Sequence, residues 1–97
     1  MAKGYLVGEL VVTNPAGHEE YRRQVPAIIA AHQGRYVIRA GDATRVEGEG
    51  TAGRVVVVEF PSLDAAKSFY YSPEYQAILP HRTNNSTGNV TLVAGFE

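Results

Sequence analysis

Phe60-Pro61-Ser62, an apolar stretch ending in Phe69-Tyr70-Tyr71, and then Ser72-Pro73-Glu74-Tyr75-Gln76 form the segment that decides the fold. Each serine stands where its hydroxyl accepts from a backbone N–H of the following turn. Pro73 takes the first helical position, where its missing N–H removes no useful donor. A strand ending at Phe60 therefore feeds a helix that stops near Tyr71 and restarts at Pro73. The junction gathers Tyr70, Tyr71 and Tyr75, but it holds no nucleophile–base pair and no metal-ligand spacing.

Working outward, Gly4 to Thr13 is rich in Val and Leu and reads as a strand with two largely apolar faces. Asn14-Pro15 caps a helix whose Tyr21, Val25, Ile28, Ile29 and His32 share one stripe, with Gly34 as a left-handed stop. Pro26 removes the bond to the Arg22 carbonyl, so a kink is expected there. Arg35 to Ala40 is a second strand. Gly41 to Gly53 is a glycine-rich, locally unstable connection with a hairpin turn around Glu49-Gly50, and Arg54 to Phe60 is the third strand. The broken helix spans Leu63 to Tyr71 and Pro73 to about Leu79, where Pro80 makes continuation costly. Residues 84–89 read as loop and Val90 to Ala94 as the last strand. The order βαββαβ, with right-handed crossovers, gives an α+β ferredoxin-like fold: one antiparallel four-stranded sheet with the first and third strands central, over a single domain of residues 1–97.

The strand pattern also assigns faces. Leu6, Gly8, Leu10, Val12, Tyr36, Ile38, Ala40, Val56, Val58, Phe60, Val90, Leu92 and Ala94 form the face toward the helices, with small Gly8, Ala40 and Ala94 letting helices approach. The other face carries Tyr5, Val7, Glu9, Val11, Arg35, Val37, Arg39, Val55, Val57, Glu59, Thr91 and Val93. No helix remains to cover it, and so large an apolar patch is seldom left in water. A second copy is the simplest cover, giving a homodimeric α/β barrel.

Composition excludes several classes. The formal charge is −1, from 9 basic and 10 acidic residues, so no net field draws in nucleic-acid phosphates. Cysteine is absent, which removes thiolate catalysis and thiolate metal sites. No apolar run is long enough to span a bilayer and no signal core precedes Tyr5, so the expected address is cytoplasmic. Three histidines without a ligating spacing predict no metal, and no cofactor is called for.

The chain resembles the small, mostly bacterial domain-of-unknown-function 1330 family, within the dimeric α/β-barrel superfamily. The resemblance rests on Lys3-Gly4-Tyr5, Tyr21, Gly34-Arg35-Tyr36-Val37-Ile38-Arg39-Ala40-Gly41, Val46-Glu47-Gly48, Val57-Val58-Glu59-Phe60-Pro61-Ser62, Tyr70, Ser72-Pro73-Glu74-Tyr75-Gln76 and Arg82. Ala40 departs from the pattern, standing where a second glycine is more usual. The superfamily resembles a mixture of cofactor-independent monooxygenases, haem-degrading enzymes, lactone isomerases, dye-type peroxidases and ligand-sensing modules, among which fold alone does not choose.

Tyr75 and Arg82 lie seven apart, two helical turns, and are the expected ligand-binding pair, presenting a phenol and a guanidinium to a carboxylate or enolate oxygen. Alternatively, Tyr75 belongs to the core and Arg82 tethers a helix end. His32 is the expected catalytic base because imidazole titrates near neutrality, although a helix C-terminus offers it a structural role too. His18 and His81 are expected to face solvent. Glu9, Arg39 and Glu59 share the open sheet face, as an acid–base pair or as a buried charge cluster setting the dimer's register. Three readings stay open: a metal-free, cofactor-free enzyme transforming a small organic molecule in the manner of a monooxygenase or isomerase, a non-catalytic module that binds a small metabolite, and a purely structural dimer.

Overall fold

The computed structural model describes residues 2–50 and 53–97. Its elements run β1 (Gly4–Val12), α1 (Pro15–Ala31), β2 (Arg35–Gly41), β3 (Arg54–Phe60), α2 (Leu63–Tyr70), α3 (Pro73–Thr83) and β4 (Ser86–Ala94). The four strands form one antiparallel sheet in the order β2-β3-β1-β4, so the first and third strands are central as expected.

Local chemistry sets the helix ends. The Asn14 side chain accepts from the Gly17 N–H at 3.4 Å and Pro15 opens α1. The helix then continues without a break through Pro26. Its end corrects one detail: Gln33, not Gly34, carries the left-handed φ of 64°. The Gly34 N–H donates to Ile29 O at 2.9 Å and the Gln33 N–H to Ala30 O at 3.0 Å, closing a Schellman motif. Gly34 is small for another reason, since a Cβ there would stand 2.6 Å from Cε1 of Phe60.

At the broken helix both serines cap as expected. Ser62 accepts from the Ala65 N–H at 3.0 Å. Ser72 accepts from the Tyr75 N–H at 3.2 Å while its hydroxyl donates to Phe69 O at 2.8 Å. Two boundaries differ from expectation. α3 does not stop at Pro80 but runs to Thr83, because one missing N–H is tolerable where Tyr75, Ile78 and Arg82 are all buried on the inner stripe. β4 begins at Ser86, where it pairs with Val12, so residues 86–89 extend the sheet instead of forming a loop.

All three helices pack on one sheet face. Leu6, Val58 and Phe60 from the strands meet Val25 and Ile29 of α1, Ala66 and Phe69 of α2, and Tyr75 and Ile78 of α3. Phe69 is 1% exposed and lies 5.1 Å from Phe60 and 4.5 Å from Tyr75, ring to ring, so truncating it to alanine should cost about 3–5 kcal/mol. The opposite face has no cover, and Val11, Val37, Ile38 and Val93 are each more than two-fifths exposed.

β2 departs from simple alternation. Its register against β3 shifts between Tyr36 and Ile38 and again between Arg39 and Gly41, and Ala40 holds a φ of 56°. An extra residue in one strand reverses the faces of those that follow. Ile38 therefore pairs with Val57 on the open face and Arg39 with Val56 on the helix face, the reverse of the assignment from alternation. Residues 42–50 form neither helix nor strand. Thr51 and Ala52, within the connection expected to be unstable, lie outside the described residues.

Candidate functional site

α1 and α3 each present a short polar segment on an otherwise apolar inner stripe. On α1, His18, Tyr21, Val25 and Ile29 succeed one another at helical spacing; on α3, Tyr75, Ile78 and Arg82 do the same. The helices pack so that the Tyr21 and Tyr75 hydroxyls lie 2.9 Å apart. The His18 and Tyr21 rings stand 5.5 Å apart, and the Arg82 guanidinium lies 5.6 Å from the Tyr21 ring centre.

These four side chains line a cavity of about 570 Å³ between the helices and the sheet. Gly8 forms part of its wall. A Cβ there would meet only ordinary contacts, 3.7 Å from Cγ2 of Val90, so this glycine leaves the cavity open and does not serve to bring a helix close. Ala40 and Ala94, also read as small for helix approach, are exposed.

Two of the residues lining it each hold a stranded, buried polar atom. His18 is 7% exposed and Arg82 6%, and neither His18 Nε2 nor Arg82 Nε has a hydrogen-bond partner among the described residues. A buried group left in that state costs about 1–3 kcal/mol. Burial, aided by the charges of Arg54 and Arg82, pushes the His18 imidazole below its ordinary value of 6.5, so it is neutral at neutral pH. Burial opposes the charge on Arg82, but the oxygens of Tyr75 and Tyr21 outweigh that and hold its pKa above the usual arginine value. Burial, with Tyr75 beside it, drives the Tyr21 phenol far above the ordinary range, so it remains a hydrogen-bond donor.

The expected site residues are thus partly brought together. Tyr75 and Arg82 share the cavity wall, because α3 keeps its register through Pro80. His32 is not among the residues lining it. Its Nε2 lies 3.3 Å from Glu74 Oε2, and its ring meets the edge of Phe69, whose own ring forms the cavity wall. His18, expected in solvent, occupies the position on the wall instead, whereas His81 is exposed as expected. The signal for His18 was present, since it extends the Tyr21–Val25–Ile29 stripe by one turn toward the N-terminus.

The charge trio on the open sheet face does not form. Arg39 crosses to the helix face at the first β2 bulge and stacks over Tyr36 at 4.5 Å. Glu59 pairs instead with Arg35 at 3.1 Å and accepts from the Tyr5 hydroxyl at 3.2 Å; the Arg35 partnership chiefly holds its carboxyl below the usual range. Glu9 pairs with Arg45 at 2.9 Å. Tyr5 is opposite Glu59 and Val55 opposite Glu9, which separates the two carboxylates by four residues along the sheet, about 13 Å. They are too far apart to act as an acid–base pair.

Among the described residues no three His, Cys, Asp or Glu side chains gather as a metal site, and no helix is long and apolar enough to cross a membrane.

Solved structures share this architecture. The RPA0582 protein of unknown function from Rhodopseudomonas palustris superposes with a TM-score of 0.77 at 14% identity, over 99% of this chain and 84% of that one. SnoaB from Streptomyces nogalater, described as a cofactor-independent oxygenase, superposes with a TM-score of 0.66 at 17% identity, over 100% of this chain and 96% of its own. Rv0793 from Mycobacterium tuberculosis follows at a TM-score of 0.54 and 19% identity, over 98% and 96%. At such identities the likeness is one of fold. No curated protein matches the sequence. The family model described as domain of unknown function (DUF1330) matches residues 3–96, and the chain belongs to that family.

Proposed function

We propose that the protein transforms a small organic molecule bearing an acidic C–H or O–H next to a carbonyl or aromatic ring, inside the cavity between α1, α3 and the sheet. The observation that carries this reading is that His18 and Arg82, both lining the cavity, each hold a buried nitrogen, Nε2 and Nε, without a hydrogen-bond partner among the described residues. A ligand oxygen beside Arg82 satisfies the donor, and a substrate proton satisfies the acceptor in the His18 tautomer protonated at Nδ1. Neutral His18 acts as the base, while Arg82 and the Tyr21–Tyr75 hydroxyl pair stabilise the resulting oxyanion. SnoaB, similar in fold and described as a cofactor-independent oxygenase, supports chemistry of this type on this architecture without a cofactor. His18 replaces His32 as the proposed base because it lines the cavity.

The test is a thermal-shift and turnover screen of phenols, enols and quinones on the parent and two variants. Gly8→Val should fill the cavity, keep the fold and abolish every ligand-dependent shift. His18→Gln should retain binding and lose turnover. A ligand shift without turnover in the parent identifies a binding module instead, and shifts that survive Gly8→Val place the ligand elsewhere.

We also propose that a second copy covers the open face carrying Val7, Val55, Val57 and Ile38. Half-buried Val7, Val55 and Val57 with exposed Val11, Ile38 and Val93 beside them support it.

A further inference from the structure

The same cavity has a mouth of one electrical sign. Arg22 of α1, Arg39 of β2 and Arg54 of β3 line it together with buried Arg82, so four elements each contribute an arginine to its lining. All three mouth arginines are exposed. No aspartate or glutamate lines the cavity among the described residues, although the chain as a whole carries a net charge of −1. Arg22 is held by Glu19 at 3.5 Å, a turn away on its own helix. Arg39 lies over the Tyr36 ring, and neither it nor Arg54 has an ion-pair partner among the described residues. Like charges gathered at one opening repel one another, and a planar carboxylate satisfies guanidinium donors two at a time.

We infer that the ligand is an organic acid, with its phenol, enol or carbonyl oxygen at the buried Arg82–Tyr21–Tyr75 end and a carboxylate at the mouth between Arg39 and Arg54. This rests on the cavity being the ligand site, as proposed above. The two ends divide the work. The buried end touches the reacting atoms, while the mouth selects molecules that carry a second, charged group and orients them with that group outward. Placing the carboxylate at the mouth also keeps a formal anion out of the part of the cavity where burial would oppose it.

The experiment uses matched probes on the full chain: 4-hydroxyphenylacetate, 3-(4-hydroxyphenyl)propionate and phenylpyruvate, each against its neutral primary amide, titrated by NMR at low salt. At least one acid should bind about tenfold or more tightly than its amide, the preference should shrink in high salt, and the Arg39→Gln, Arg54→Gln double variant should erase it. Thermal melts on that variant check that the fold is retained. Acid and amide binding equally, or a double variant that weakens both alike, overturns the inference while leaving the cavity reading in place. If no probe of either kind perturbs the resonances of Gly8, Val56 and Val90, the cavity reading falls with it.

Discussion

Replacing the paired tyrosines by phenylalanine, singly and together, measures what the hydrogen bond between them contributes to the site. The hydroxyls are 2.9 Å apart, and Tyr75 is 1% exposed while Tyr21 is half-buried. Tyr21→Phe removes the partner at 2.9 Å from the buried Tyr75 hydroxyl and leaves it only the Arg82 guanidinium, so its cost should be that of one buried hydrogen bond, about 1–1.5 kcal/mol. Tyr75→Phe leaves the Tyr21 hydroxyl on the cavity wall, where water can reach it, and should cost about 1 kcal/mol. Both single changes remove the same bond, so the double variant should cost no more than the worse of them, which leaves a coupling of about 0.5–1 kcal/mol. Urea denaturation is the assay. With a slope of about 1–2 kcal/mol per molar for a domain this size, Tyr21→Phe should lower the midpoint by about 0.5–1.5 M. Additive losses in the double variant would refute the pairing and mean that each hydroxyl finds its partner elsewhere.

Three further outcomes follow from named residues. Ala40 sits at a φ of 56°, so Ala40→Gly relieves left-handed strain of about 1–2 kcal/mol, offset in part by greater unfolded-state freedom. Calorimetry should show a melting temperature raised by about 2–8 °C. Because the native His18 pKa lies below 6.5, both states are neutral above that pH; below it the unfolded chain takes up the proton first, so stability should fall as pH drops from 7 toward 5. His18→Gln should flatten that slope, and an unchanged slope would mean another group sets it. Val57→Asp on the open face should convert dimers to monomers or aggregates by light scattering, and a monomeric parent at micromolar concentration contradicts the proposed dimer.

Punctuation in the chain was enough for the fold. Asn14-Pro15, Phe60-Pro61-Ser62 and Ser72-Pro73 act within a turn of themselves, so their capping chemistry is legible without knowing what lies across the core. The βαββαβ order and central β1 and β3 follow from it. The alternation of Leu6, Leu10, Val58 and Phe60 likewise named the buried sheet face correctly. Where these local rules competed with packing, they lost. Pro80 does not end α3, since burial of Tyr75, Ile78 and Arg82 on one stripe outweighs one missing hydrogen bond, and Gln33 takes the left-handed position while Gly34 lies where Phe60 leaves no room for a side chain.

The site was half legible for the same reason. Tyr75 and Arg82 stand two helical turns apart, which placed them on one stripe provided the helix continued past Pro80, as α3 does. His18 required knowing how far along α1 the core extends, which depends on where α3 crosses it. Arg39 required the first bulge in β2, between Tyr36 and Ile38, which reverses side-chain faces without a glycine or proline to announce it. Local sequence determined the elements, their order and the single stripe that carries Tyr75 and Arg82, because those depend on bonds made within one or two turns. Only the tertiary structure decided that His18 replaces His32 on the cavity wall and that four arginines converge there, because both depend on the distance between elements far apart in the chain.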